Sequence, residues 1–452
     1  MYPFFLKKMN YIENNAIHNI FSHLDFTSRY FFGIICKKNF EEGFMKYKHE
    51  QIFQISALEF NPLDYLRCNK YPNINFKMQF ENHHKIPDLQ TINNLHTLSL
   101  WWRPFTEFKC IFKLLTKLKL HCQPDITEIP ESDNLQELSI HDCNIQTMDL
   151  SKKNMYNYLR KIKLYRCSSF IEISGINSLC ELFLRDCECI VDIKSLCSLK
   201  ELCIEECENL INIGSMPNIE NIEISQCNNL VKIGQMPNIK IAKIKYCEKL
   251  KNISGIKNAH ELNLAKCLNI SDLPYFENVK ILSLMYCRNI SDLPSFKNVH
   301  ELTIINCRNI IDLSSFTNVQ SLTLGINFKV IDLSMFITVK SLYIYGLSII
   351  PDFSCFCNVI SLKITQCHKI HDLSLFTGVE DLYIESCKNI RKIPLFNNLK
   401  TANIIKCHGL NDVNGLKNAH TVCIESCRTL RYISSLLHIN NFNVIKCNKI
   451  FF

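Results

Sequence analysis

The sequence predicts an α/β repeat solenoid: about 18 to 20 short parallel strands, one per twenty residues, behind a small helical domain. Three observations carry that expectation. Apolar residues return in fixed columns every twenty positions. Cysteine occupies one of those columns almost throughout. The first fifty residues stand outside the period altogether.

The period is plainest where ELCIEECENLINIGSMPNIE, residues 201–220, meets NIEISQCNNLVKIGQMPNIK, residues 221–240. Ile204/Ile224, Cys207/Cys227, Leu210/Leu230, Ile213/Ile233 and Met216/Met236 stay in step while the charged positions drift. Written in that register the chain reads LxxLxIxxCxxLxxIxxMxxI. The alternation over Leu202 and Ile204 is the signature of a short strand with one buried face. Twenty residues hold a strand, two turns and an extended or 3₁₀ return, but no full helix. The register runs backward through Leu159/Ile162/Leu164/Cys167. After an insertion near Ser151 to Asn154 it resumes at Leu135/Leu138/Ile140/Cys143, then at Leu115/Leu118/Leu120 and Leu95/Leu98/Leu100. Fainter copies lie at Ile55/Leu58/Phe60 and around Met78/Phe80. The expected domains are therefore a helical 1–54, degenerate capping repeats over 55–94 and a solenoid over 95–452.

Global composition sets wide limits. The chain has 452 residues, 47% hydrophobic and 21% charged, with a formal charge of +8, which is globular and only mildly basic. So thin a positive bias argues against nucleic acid as a partner. Residues 1–10 are too short in their apolar run for a signal segment, and no later run is long enough to span a bilayer, so the expectation is no membrane partner and a cytoplasmic protein. Heavy use of Ile, Asn, Lys and Phe hints at an AT-rich coding genome such as those of some large DNA viruses and protists, in which case the compartment would be host-cell cytoplasm.

Cysteine, 25 residues in all, recurs at 167, 187, 207 and on to 307, skips Asn327 and Leu347, and resumes from 367 to 447. Neighbouring members would stand one strand apart with parallel Cβ vectors, a poor geometry for a disulfide. A reduced, packed ladder is the simpler reading, because Leu347 fills the same column and cannot ligate a metal. Cys187/Cys189 and Cys355/Cys357 lack the spacing and histidine partners of a zinc site. The column Phe276 to Phe396 reads as a stacked core spine. The column Asp272 to Asp372 reads as turn carboxylates accepting N–H bonds rather than a calcium array, and the asparagines ahead of the strands, such as Asn218, Asn278 and Asn298, read as turn residues too. No nucleophile elbow, zinc motif, P-loop or dinucleotide fingerprint occurs, and the 15 histidines form no visible ligand set. The expectation is no catalytic residue, no metal and no cofactor.

Function should then lie on the strand positions between core letters. Those positions carry acidic residues around Glu201 and Glu205, basic ones around Lys243 and Lys245, and later Tyr343, Tyr345 and Tyr383. Clustered tyrosines on a sheet face are of the type that anchors protein interfaces, and these seven residues are the expected contacts for an unknown target protein.

The repeat resembles the cysteine-containing leucine-rich repeat, in which LxxLxLxxC precedes an apolar-x-Asp-Leu stretch, as in CRNISDLPSF. Ahead of it, Ile17, Ile20, Phe21 and Leu24 fall at helical spacing, Asp25 stands as a cap, and a second helical stretch ends near Phe40. Ile20 to Asp25 and Ile35-Cys36-Lys37-Lys38-Asn39-Phe40 resemble the F-box, although Ile12-Glu13-Asn14-Asn15 replaces its opening Leu-Pro-Asp-Glu. The combined resemblance implies a substrate receptor of an SCF-type ubiquitin ligase. Ile17, Ile20, Phe21, Leu24, Ile35, Cys36 and Phe40 would bind a Skp-type adaptor and through it a cullin ligase, and the solenoid would bind the target. The alternative is a protein-binding solenoid scaffold with no ligase, its helices capping the stack. A secreted pattern-binding protein fits less well with reduced cysteines.

Overall fold

The computed structural model describes the strands 53–56, 76–80 and 95–101. It then describes 114–447 and 450 apart from 123–128, 130–131, 144–146, 150–156, 168–169, 173–175, 194–195 and 327–331. The chain divides into two compact units, Met1–Ile190 and Val191–Phe452. Residues 1–52, with every expected adaptor-binding side chain, lie outside the described residues, as do Phe451 and Phe452.

In the second unit a five-residue strand recurs every twenty residues, from Glu201–Glu205 to Asn441–Ile445. Each strand pairs in parallel with its successor at an unbroken register, as in Leu282↔Leu302 and Leu302↔Leu322. The second and fourth residues of a strand point inward. Leu302 and Ile304 are buried, and Cys307, Ile310, Leu313, Phe316 and Val319 of the same turn join them. Seven inward letters per turn thus fill a continuous core in which a turn buries its apolar residues only against its neighbours. The aromatic column is the expected spine: Phe276 to Phe396 are all buried, with ring centroids 6.3 Å apart for Phe276–Phe296 and 5.4 Å for Phe296–Phe316. The return segments are extended or 3₁₀, as the short period requires. Asp192–Ile193, Asn212–Ile213 and Lys232–Ile233 form a small parallel sheet, and later turns carry 3₁₀ turns such as Asn414–Leu416.

The first unit uses the same device less regularly. Phe53–Ser56, which straddles the expected 54/55 boundary, pairs with Phe76–Phe80, which pairs with Leu95–Trp101. Regular strands follow from Lys117–His121 to Glu181–Arg185. The insertion is absorbed without breaking the ladder. Glu137–His141 still pairs with Lys161–Tyr165, while Thr147–Asp149 pairs with Phe170–Glu172 in a small second sheet.

Three polar features explain how a chain so poor in glycine turns so often. The residue after nearly every five-residue strand has positive φ, from 48° at Arg166 to 59° at Tyr286, and of these all but Gly346 are non-glycine. That conformation costs about 1 kcal/mol or more per residue. It is held by a ladder bond, in which the N–H of Tyr246 donates to Ala265 and that of Lys266 donates to Met285. It also turns the next residue, the ladder cysteine, into the core. All described cysteines are free thiols, and burial pushes Cys267, Cys387, Cys407 and Cys427 up to about 12. The Cys267 thiol donates to the Ile244 and Ala265 carbonyls, so the ladder is one of protonated, weakly bonding core residues.

The aspartate column behaves as expected in most turns: Asp312, Asp332, Asp352 and Asp372 accept the N–H of the residue two ahead at 2.8 to 2.9 Å. Those bonds hold the Asp312, Asp332 and Asp372 carboxyls below the usual range. At Asp272 and Asp292 the residue two ahead is Pro274 or Pro294, which has no N–H, and the hydroxyls of Ser271 and Ser291 donate instead. The asparagines differ from expectation more thoroughly. Asn218 and Asn298 donate not within their own turn but to Cys197 and Glu277, 21 residues back. They staple one turn to the turn before it, which local turn chemistry does not reveal.

Candidate functional site

The outward face of each strand offers three positions, its first, third and fifth residues. In the second unit the expected acidic and basic groups lie near the start of the sheet, and the lysines pair with other glutamates of neighbouring strands. Glu201 is exposed and Glu205 half-buried. Lys243 lies 3.8 Å from Glu261, Lys245 lies 3.8 Å from Glu223, and Lys240 pairs with Glu220 at 2.5 Å. These are the cross-turn pairs of a solvated sheet, each contributing little. The four charged residues therefore form no single site with the tyrosines, which lie several turns later.

The tyrosines do come together, around residues that periodicity alone did not single out. The third-position row runs Tyr343↔Lys363↔Tyr383, and the fifth-position row runs Gly325↔Tyr345↔Thr365↔Glu385. Leu342/Ile344, Leu362/Ile364 and Leu382/Ile384 point inward, so alternation delivers these side chains to the outside. The Lys363 ammonium lies 4.6 Å from the Tyr343 ring centre and 5.1 Å from that of Tyr383, held between two aromatic faces. The Tyr343 hydroxyl is 3.1 Å from the Thr365 hydroxyl, and the Tyr383 hydroxyl donates to Glu385 at 2.9 Å. Desolvation, then Glu385, pushes the Tyr383 phenol above its ordinary pKa. Tyr345 tilts against Tyr343 at 6.5 Å. Lys363, Thr365 and Glu385 were findable: Lys363 and Thr365 each sit twenty residues from a flagged tyrosine, and Glu385 sits two residues beyond Tyr383 on the same strand.

A second cation of this kind lies in the positive-φ column. Lys266 sits 4.7 Å from the Tyr246 ring centre and 5.7 Å from that of Tyr286. The ring spacing follows from the strand spacing, since a long side chain between two tyrosines one step away on either side has both faces within reach.

The first unit carries a different row. His121, His141 and Tyr165 are in register and stack, with centroids 4.1 Å apart at both steps. The Ser139 hydroxyl lies 2.9 Å from His141 Nε2. Desolvation, with His141 and Lys119 nearby, brings the His121 pKa down to about 4, and desolvation lowers that of His141 as well. Thr97, Ser99 and Ser139, also outward by register, are buried. Beside them Lys161 and Lys163 lie 5.1 and 5.4 Å from the Phe183 ring centre. The histidines are twenty residues apart, a signal that a search for metal-ligand spacing passes over. Among the described residues no three His, Cys, Asp or Glu side chains cluster as metal ligands, and no helix is long and apolar enough to cross a membrane.

No protein-family model matches the sequence, nor does any curated protein. Solved structures are similar at low identity. A leucine-rich-repeat protein of Leptospira interrogans is 13% identical, with 91% of this chain and 94% of that one covered and a TM-score of 0.39. An internalin of Listeria monocytogenes is 12% identical, with 74% and 86% covered and a TM-score of 0.26. A plant peptide hormone receptor solved with its peptide is 12% identical, with 89% and 70% covered and a TM-score of 0.26. The parallel solenoid itself is defined by this chain's own ladder of strands.

Proposed function

We propose that this chain is a binding protein whose outward strand face, centred on Tyr343, Tyr345, Lys363 and Tyr383, holds a protein partner. One observation carries the reading: three tyrosines and a cation held between two of them converge on one rigid patch of sheet while the core letters beneath stay invariant in kind. Tyrosine anchors bring large contact area at low conformational cost. The functional chemistry is recognition; binding requires no nucleophile, general base or metal.

The finer reading is the F-box one. Residues 1–54 would dock a Skp-type adaptor through Ile17, Ile20, Phe21, Leu24, Ile35, Cys36 and Phe40. The solenoid would bring its target to a cullin ligase, so that modification becomes a local encounter. That part rests on the sequence motif, and cytoplasmic residence goes with it, supported by a ladder of thiols that form no disulfide.

Two measurements test the two levels. The variant Tyr343→Ser/Tyr345→Ser/Tyr383→Ser should keep its circular dichroism and unfolding midpoint yet lose partner capture at least tenfold in quantitative affinity purification. Unchanged capture by a folded variant removes this face from the proposal. Separately, full-length protein should bind purified Skp-type adaptor and Leu24→Asp should not. Absence of adaptor binding by the intact chain leaves the scaffold reading without a ligase.

A further inference from the structure

The outward face between the two tyrosine-held lysines changes character. From the strand Ile281–Met285 to the strand Ser341–Tyr345 the third and fifth positions carry no charge. The fifth-position row is Met285, Ile305, Gly325 and Tyr345, apolar throughout, and the third-position row is Ser and Thr until Tyr343. Glu301 is the one carboxylate on these strands, at a first position, on the far edge of the face. Gly325 lets its neighbours close over it: a Cβ there would come within 3.0 Å of the Ile305 side chain and 3.4 Å of Tyr345, so the row stays continuous. A charge-poor centre is what distinguishes the core of an interface from ordinary surface.

Each end of this strip carries a fixed cation. Lys266 lies between Tyr246 and Tyr286, and Lys363 between Tyr343 and Tyr383. Neither pairs with a carboxylate among the described residues, whereas Lys240, Lys243 and Lys245 earlier in the same sheet all do. Ring contacts on both sides restrict an otherwise flexible chain in advance of binding, so an anion meeting either ammonium loses less entropy than at a free surface lysine. The two lysines are five strand steps apart along the stack, about 24 Å at about 4.8 Å per step.

The geometry points to one class of partner, and this rests on the binding-face reading above: a protein segment with an apolar stretch between two carboxylate side chains. In extended form, at about 3.3 Å per residue, about seven residues separate the two acids. The apolar stretch lies along Met285, Ile305 and Tyr345, and each acid meets one lysine.

A selection of displayed random twelve-residue peptides on the full-length protein tests this. The expected outcome is enrichment of peptides with two acids six to eight residues apart around apolar residues. Their retention should fall at least tenfold on Lys266→Met/Lys363→Met, a change that leaves rings and core in place. Recovered peptides with basic ends or no paired acids, equal retention on the double-lysine variant, or no enrichment on protein shown to be folded would each overturn the proposal. The tyrosine triple variant separates the two levels. If it loses peptides that the lysine variant keeps, the binding face stands and the acidic partner does not; if neither loses them, both fail.

Discussion

The two outward aromatic rows, His121–His141–Tyr165 in the first unit and Tyr343–Lys363–Tyr383 in the second, are built by the same ladder and end in opposite electrostatic states. In the first, rings stack directly at 4.1 Å, and desolvation holds the imidazoles toward their neutral form. In the second, a lysine ammonium occupies the middle place and each ring turns a face to it. Parallel strands put like positions side by side whatever the residue. A solenoid therefore amplifies a single substitution into a change of row, from an apolar stack that excludes charge to a site that displays it.

If the rows differ only on the outside, the inner columns beneath them should respond alike. Leu138→Ala in the first unit and Leu302→Ala in the second should each cost about 2 to 5 kcal/mol in denaturant unfolding, since both side chains are fully buried. A small cost in one unit alone would mean that its outer row, not its core, holds it together.

The reciprocal exchange probes the rows themselves. His141→Lys forces an ammonium into a desolvated stack and should destabilise the protein by about 2 kcal/mol, while Lys363→His at neutral pH should cost less than about 1 kcal/mol. Equal costs would show that the rows share one environment.

Acid should act on the first row and spare the second. The folded-state pKa of His121 is depressed to about 4 from an ordinary 6.5, so its contribution is present above pH 6.5 and is lost as pH falls from 6.5 toward 4. The loss should be on the order of 1 to 2 kcal/mol after allowance for solvent screening near the surface. His121→Phe should flatten the stability profile over that window, and a profile as steep as that of the unmodified protein would exclude the stack as its source.

The smallest effect is expected at the cation. Lys363→Met should change stability by about 0.5 to 1 kcal/mol, the worth of a partly exposed cation–π contact, with unfolding of the variant monitored at low and high salt. A loss of several kcal/mol would make Lys363 a structural keystone rather than a displayed charge.

By itself the sequence determined the parallel stack, the position of its strands from Leu95 onward, the aromatic spine, the reduced cysteine ladder and the outward placement of Tyr343, Tyr345 and Tyr383. All of these follow from one-dimensional facts: the twenty-residue period and strand alternation say which side chains share a column, and a column of apolar residues can only be a core. Tertiary structure decided what the columns do to one another. The neutralisation of Lys243 and Lys245, the capture of Lys266 and Lys363 between rings, the His121–His141 stack and the asparagine bonds to the preceding turn are relations between residues about twenty apart. They depend on side-chain reach across an interval of about 4.8 Å, a distance that exists only once the strands are stacked.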